Sequence, residues 1–216
     1  MKSNTGIKAI LHDWDDTVTN SFLTYSKWYV EFANKYNLAI PSKKQIKQSW
    51  GNPVPVMINL IWNQISINEA QQMLYSFKEN SKYNPTSHTG VVETLKNFAN
   101  RGYKLGVISS APKFKLTTTY NQIFTKNIHS LIYGEEDLDY VKPNPKVFEK
   151  PLKLLNLNCN QVIYIGDSLF DYFAARDAGI IFYAVTTGIT TKNNFIKAGL
   201  NNQYILNSFL SIYDLV

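Results

Sequence analysis

The feature that most constrains this chain is an alternation of short apolar runs, each about one strand long, with stretches of helical spacing. The runs lie at 7–11, 103–108, 130–133, 162–165, 180–185 and 204–206. Helical patterns separate them at 91–100, 114–124, 144–155 and 169–178, with Arg101-Gly102 and Gly179 as stops and Pro145 in a first turn. Parallel strands need crossovers of helical length, so this order predicts an α/β chain whose parallel sheet is covered on both faces.

One stretch breaks the rhythm. After the first run, Phe22, Tyr25, Trp28, Tyr29, Phe32, Ala33 and Tyr36 follow a helical period, and Ile40-Pro41-Ser42 and then Gly51-Asn52-Pro53 interrupt the chain. Further helical patterns cover 56–64 and 68–80, and no strand is expected between 22 and 83. A connection of about 65 residues is too long to be structureless, so it reads as an inserted helical domain. The division expected is a core of 1–18 and 85–216 with an all-helical insertion at 19–84. Trp28, Tyr29 and Phe32 read as core of the insertion rather than as ligand contacts.

Composition sets bounds on function. The 216 residues suffice for one α/β domain and a modest insertion. The net charge of +6 favours anionic partners, but the lysines are scattered, and Lys43-Lys44-Gln45-Ile46-Lys47 reads as a solvated helix face rather than a nucleic-acid patch. The single cysteine, Cys159, excludes an intrachain disulfide. The first apolar run is too short for a signal peptide or a spanning helix, and no later run approaches the length of a span. A cytoplasmic protein with no membrane or nucleic-acid partner is expected.

Ligands of open parallel sheets bind beyond the carboxyl ends of the strands, so the residues at those ends carry the chemistry. The first run delivers Asp13-Trp14-Asp15-Asp16-Thr17, the second Ser109-Ser110, and the fourth Gly166-Asp167-Ser168 with Asp171 four residues beyond Asp167; Lys142 lies between the third and fourth runs. Carboxylates held this close repel one another unless a cation shares the site. An oxygen-only donor set suits Mg²⁺, whereas the histidines (His12, His88, His129) are too dispersed in sequence to suggest zinc. A hydroxyl and a lysine are the groups that would hold a phosphoryl group. His12 itself reads as a half-buried strand residue.

Together these motifs resemble the haloacid dehalogenase superfamily along nearly the whole chain. Asp13-Trp14-Asp15-Asp16-Thr17 matches its Asp-x-Asp-x-Thr signature, and Ser109 its strand-end hydroxyl. Lys142-Pro143-Asn144-Pro145 matches its lysine motif, and Gly166-Asp167-Ser168-Leu169-Phe170-Asp171 its Gly-Asp-x-x-x-Asp. The resemblance implies a Rossmann-like core with a helical cap, as in phosphoglycolate phosphatases and β-phosphoglucomutases. It implies Asp13 as nucleophile, Asp15 as general acid and base, and Ser109 with Lys142 on the phosphoryl group, Ser110 beside them. It also implies Mg²⁺ held by Asp13, Asp15 through its backbone carbonyl, and Asp167, with Asp171 a further ligand or the partner that orients one.

Asp15 argues against halide displacement, in which no alcohol leaving group needs a proton. Asp16 departs from the glycine that many relatives carry there. Gly51 and Asn52 resemble a cap loop that faces substrate. The expected reading is a Mg²⁺-dependent phosphatase of a small phosphorylated metabolite, monomer or homodimer. A phosphomutase, a phosphonatase or a catalytically idle binding protein on the same scaffold are the alternatives.

Overall fold

The computed structural model describes residues 6–50, 52, 54–77 and 83–213, with backbone alone for 75–77. The chain divides into two compact units, one of residues 1–20 and 86–216, the other Ser21–Pro85.

The first unit is built on six strands: β1 (Ala9–His12), β2 (Lys104–Ile108), β3 (Leu131–Tyr133), β4 (Val162–Gly166), β5 (Ile181–Val185) and β6 (Ile205–Leu206). They form one sheet in the order β3-β2-β1-β4-β5-β6, every neighbouring pair parallel. Ile10 lies opposite Leu105 on one side and Ile163 on the other. Period-two alternation then sorts the side chains. Ile10, Val107, Ile163, Ile165 and Val185 pack on one face with Leu95 and Phe98 of α5 (Val91–Asn100) and Leu116 and Tyr120 of α6 (Lys113–Ile123). Ala9, Leu11, Ile108, Tyr164, Phe182 and Ala184 pack on the other. There they meet Leu155 of α7 (Glu149–Leu155), Ala174 and Ala175 of α8 (Leu169–Asp177) and Phe195 of α9 (Lys192–Lys197). Strands buried on both faces explain why the runs read as continuously apolar.

From β1 the chain builds β2 and β3 to one side and then returns to build β4, β5 and β6 on the other. The reversal opens a crevice at the carboxyl end of β1, which is where such sheets hold ligands.

Two helical details differ from the sequence reading. The pattern at 144–155 is a 3₁₀ turn, Pro145–Phe148, followed by α7 rather than one helix. Pro151 lacks the N–H that a continuous helix would need there, whereas a helix starting at Glu149 places it in the first turn. Helix α9 was not anticipated from periodicity; its six residues are too few to show a period, and its start is set by a reciprocal Thr191–Asn194 cap.

The second unit contains α1 (Ser21–Lys35), α2 (Lys43–Ser49), α3 (Val54–Ile61) and α4 (Ile67–Phe77), with no strand among its described residues. Tyr29, Phe32, Ile46, Met57, Ile58 and Trp62 form its core, and Trp28 packs on them. Ser42 and Gln45 cap α2 reciprocally. Among the described residues no helix is long and apolar enough to cross a membrane.

Candidate active site

The β1 ladder ends at His12, and the next amide still follows the sheet: Asp13 N–H donates to the Ile165 carbonyl at 2.9 Å. The chain then turns sharply, with the Trp14 carbonyl accepting from the amides of Val18 (2.9 Å) and Thr19 (3.1 Å). This turn needs a left-handed residue, and Asp16 supplies it at φ 60°. Asp is among the few L-residues that tolerate this region, which accounts for its presence where glycine is usual. The Thr187 hydroxyl holds the Asp16 carbonyl at 2.6 Å. From 11 to 19 every residue is buried except Asp15, which is half-exposed.

Three further strand ends complete the cluster. Ser109 continues β2; its amide donates to the Tyr133 carbonyl, and its hydroxyl accepts from the Ala111 amide at 3.0 Å, which leaves the hydroxyl proton to donate. Ser110 is exposed. Asp167 follows β4 and accepts from the Thr17 hydroxyl at 3.2 Å. Asp171 sits in the first turn of α8, one oxygen held by the amide and hydroxyl of the N-cap Ser168. Gly166 makes this approach possible, since a Cβ there would lie 2.5 Å from the Asp171 side chain.

Lys142 ties the strand ends together. Its buried ammonium donates to Asp13 Oδ1 and Asp171 Oδ1, each at 2.6 Å, and lies 3.2 Å from the Tyr164 hydroxyl and 3.3 Å from the Ile108 carbonyl. Tyr164 also donates to Asp171 Oδ1 at 2.9 Å. Asp13, Asp167 and Asp171 each offer an oxygen, and these three oxygens lie within 4.8 Å of one another.

The electrostatics follow from this crowding. Burial pushes the Asp13 carboxyl up to about 7, Lys142 pulling it back while Asp171 and Asp15 add to the rise. Burial, then Asp13, Asp171 and Asp16, hold Asp167 well above the usual carboxylate range. Burial opposes the Lys142 charge, but Asp13 and Asp171 outweigh it and hold the ammonium well above its ordinary value. A cluster of this kind ionises fully only when a cation is added.

The structure therefore brings Asp13, Asp167, Asp171 and Lys142 into direct proximity, with Asp15 near enough to bear on Asp13 and Ser109 at the adjacent strand end. Gly51 lies outside the described residues. The Asn52 side-chain Nδ2 donates to the Ser49 carbonyl at 2.7 Å within the helical unit.

Sequence reasoning missed Tyr164, Thr187 and Gly188. A tyrosine in a fully buried strand must find a polar partner, which was a usable signal for Tyr164. Gly188 follows β5, and a Cβ there would fall 1.9 Å from Asp167 Oδ2, so the backbone must pass where no side chain fits. His12, expected half-buried, is fully buried and meets His129 across 117 residues of sequence, their Nε2 atoms 2.9 Å apart.

Comparison with known proteins agrees with this architecture. Residues 10–185 match the family model described as haloacid dehalogenase-like hydrolase. The chain is 20% identical to the pyrophosphatase PpaX of Halalkalibacterium halodurans, covering 97% of each chain. It is 25% identical to the phosphoglycolate phosphatase of Haemophilus influenzae over 86% of this chain and 88% of that one. A haloacid dehalogenase-like family hydrolase from Streptococcus pneumoniae superposes with a TM-score of 0.82 at 22% identity, over 98% of this chain and 99% of the other. On its sequence motifs, its sheet order and the family match across most of its length, the chain belongs to the haloacid dehalogenase-like hydrolase family.

Proposed function

We propose that the chain hydrolyses a small phosphomonoester through a covalent intermediate on Asp13. The observation that carries this reading is the buried Asp13 carboxylate held by Lys142 beside Asp167 and Asp171, an arrangement suited to receiving a phosphoryl group rather than to stabilising a fold. The phosphatases among the relatives support the reaction class.

A divalent cation fits the donor set. Asp13 and Asp167 supply hard oxygen atoms, and burial with the neighbouring carboxylates pushes both towards protonation despite the Lys142 ammonium. Their side chains, with the Asp15 backbone carbonyl, would hold Mg²⁺, which when bound neutralises the carboxylates and polarises the phosphoryl oxygens. Asp171 acts as the orienting partner, because its oxygens already accept from Lys142, Tyr164 and Ser168.

In the first step an Asp13 oxygen bonds to phosphorus while the P–O bond to the alcohol breaks, and Asp15 gives its proton to the departing oxygen. In the second, Asp15 takes a proton from water as that water's oxygen bonds to phosphorus, releasing phosphate and restoring Asp13. Lys142 and the Ser109 hydroxyl donate to the phosphoryl oxygens, where negative charge is spread. The half-exposure of Asp15 within an otherwise buried turn supports its role towards substrate. Gly51 and Asn52 are kept as proposed contacts to the leaving group on the resemblance of their loop to the substrate-facing cap loop of relatives.

Phosphate release from a panel of small phosphomonoesters, with Mg²⁺ and with chelator, tests the proposal. Turnover should require the metal, and metal-independent turnover would remove the cation from the reading. Asp15→Asn should slow an alkyl phosphate by about a hundredfold or more yet slow p-nitrophenyl phosphate far less, because a phenolate leaves without a proton. Equal slowing of both would assign Asp15 another role.

Mg²⁺ affinity should fall as pH drops below about 7, since protons then compete for Asp13, whose raised value lies there, and for Asp167. The Mg²⁺-induced rise in melting temperature should accordingly be larger at about pH 8 than at about pH 5.5. Gly188→Ala should weaken Mg²⁺ half-saturation by about tenfold to a hundredfold, because the added methyl displaces Asp167. Unchanged metal dependence would show that Asp167 is not a ligand.

A further inference from the structure

The nucleophile sits where the sheet stops holding the backbone. Its amide still donates to Ile165, but the peptide that follows departs into the turn. That peptide is met instead by His12 Nδ1, 2.7 Å from the Asp13 carbonyl oxygen. A chain of contacts extends inward: His12 Nε2 to His129 Nε2 at 2.9 Å, and His129 Nδ1 to the Tyr120 hydroxyl at 2.9 Å. All three residues are buried, and the rings around them are Phe209, Phe124 and Trp14, an apolar setting that disfavours an imidazolium.

With both imidazoles neutral, only one arrangement of protons lets His12 donate to the Asp13 carbonyl and still joins the two rings. The Asp13 carbonyl can only accept, so His12 carries its proton on Nδ1 and accepts at Nε2. His129 then donates from Nε2 and accepts at Nδ1, and Tyr120 gives its single proton to that nitrogen. The Tyr120 oxygen receives the Ile128 amide at 3.3 Å, and Asn127 Oδ1, the competing acceptor for the Tyr120 proton at 3.0 Å, receives the His129 amide at 3.0 Å. The Ile128 and His129 amides thus anchor the far end to the backbone leading into β3.

We propose that His129 and Tyr120 are positioning residues for the reaction, acting through His12 to lock the peptide after Asp13 and so fix the direction of its carboxylate. The inference rests on the reading of Asp13 as nucleophile. An apolar residue at position 12 would fill the same space without gripping the carbonyl, leaving the turn that carries Asp13 and Asp15 held by Thr187 and by the amides accepted at Trp14.

The test combines kinetics with the ring nitrogens themselves. Nitrogen NMR of the wild-type protein at neutral pH should show His12 as the Nδ1–H tautomer and His129 as the Nε2–H tautomer; the opposite pair overturns the proposal whatever the activity. His129→Leu should lower kcat by about tenfold to a hundredfold with KM unchanged, the scale of a slightly misplaced reacting group. His129→Gln, whose amide can still donate to His12, should recover most of that loss. Tyr120→Phe, which keeps the ring and is the milder change should His129→Leu fail to fold, should lower kcat severalfold at constant KM. Unaltered kcat in folded His129→Leu or Tyr120→Phe, or equal impairment by Leu and Gln, would reduce the triad to core packing. Absence of any wild-type turnover, with both tautomers as expected, would instead overturn the nucleophile reading on which the proposal stands.

Discussion

Asp13→Asn is expected to abolish phosphate release while leaving the protein folded and no less stable. Asparagine keeps the shape of the side chain but removes the oxygen nucleophile, and loss of a covalent catalyst lowers kcat by about a thousandfold or more. The stability expectation follows from the charges. Burial raises the wild-type carboxyl to about 7, so near neutral pH in chelator this group stands at the edge of ionising beside Asp167 and Asp171. Replacing it removes one source of repulsion, and Lys142 keeps its 2.6 Å contact with Asp171. Parallel measurement of kcat and of melting temperature in chelator checks both halves. Turnover within tenfold of wild type would remove Asp13 as nucleophile, and a collapse of the melting temperature would mark it as structural instead.

The contrast between what sequence conveyed and what it withheld follows physical lines. Strand ends were legible because fully buried parallel strands read as apolar runs, and the polar residue that ends each run marks the edge where ligands bind. Asp13, Ser109 and Asp167 were placed at that edge in this way, whereas Lys142, between the third and fourth runs, was singled out by its Lys-Pro-x-Pro motif. Hydrogen-bond partners were not legible, because they depend on which distant segments come together. Nothing local pairs His12 with His129, or tells that Tyr164 from the middle of β4 reaches both Lys142 and Asp171. Gly188 carried a different kind of information. Its requirement is the absence of a side chain beside Asp167, and an absence leaves no periodic trace. Asp16 lay between these cases: the departure from glycine was visible, but its left-handed backbone and the Thr187 hydroxyl that holds it came only from the structure.

Lys142→Met should be the most damaging single change to stability among the site residues, and its pH dependence identifies the cause. The ammonium is buried, with two carboxylates at 2.6 Å and the Tyr164 hydroxyl and Ile108 carbonyl just beyond 3 Å. Methionine fills the stem volume but leaves Asp13 and Asp171 facing each other without their shared cation. Breaking a buried ion pair by removing one partner costs about 3–5 kcal/mol. The penalty exists only while the carboxylates are ionised. As pH falls through the raised wild-type Asp13 value of about 7, that group is protonated in both proteins, the variant's having taken its proton at higher pH, and the difference between them narrows. The Lys142 ammonium does not limit this window, because its own value is held well above the ordinary lysine range and its charge is lost only at higher pH. Urea unfolding in chelator should therefore show a larger destabilisation at about pH 8 than at about pH 5. Activity should be lost as well, since an Asp13 freed from Lys142 rises further and stays protonated where it must attack. The same loss of stability at both pH values would mean that the lysine stem, through packing, and not its charge, holds the strand ends together.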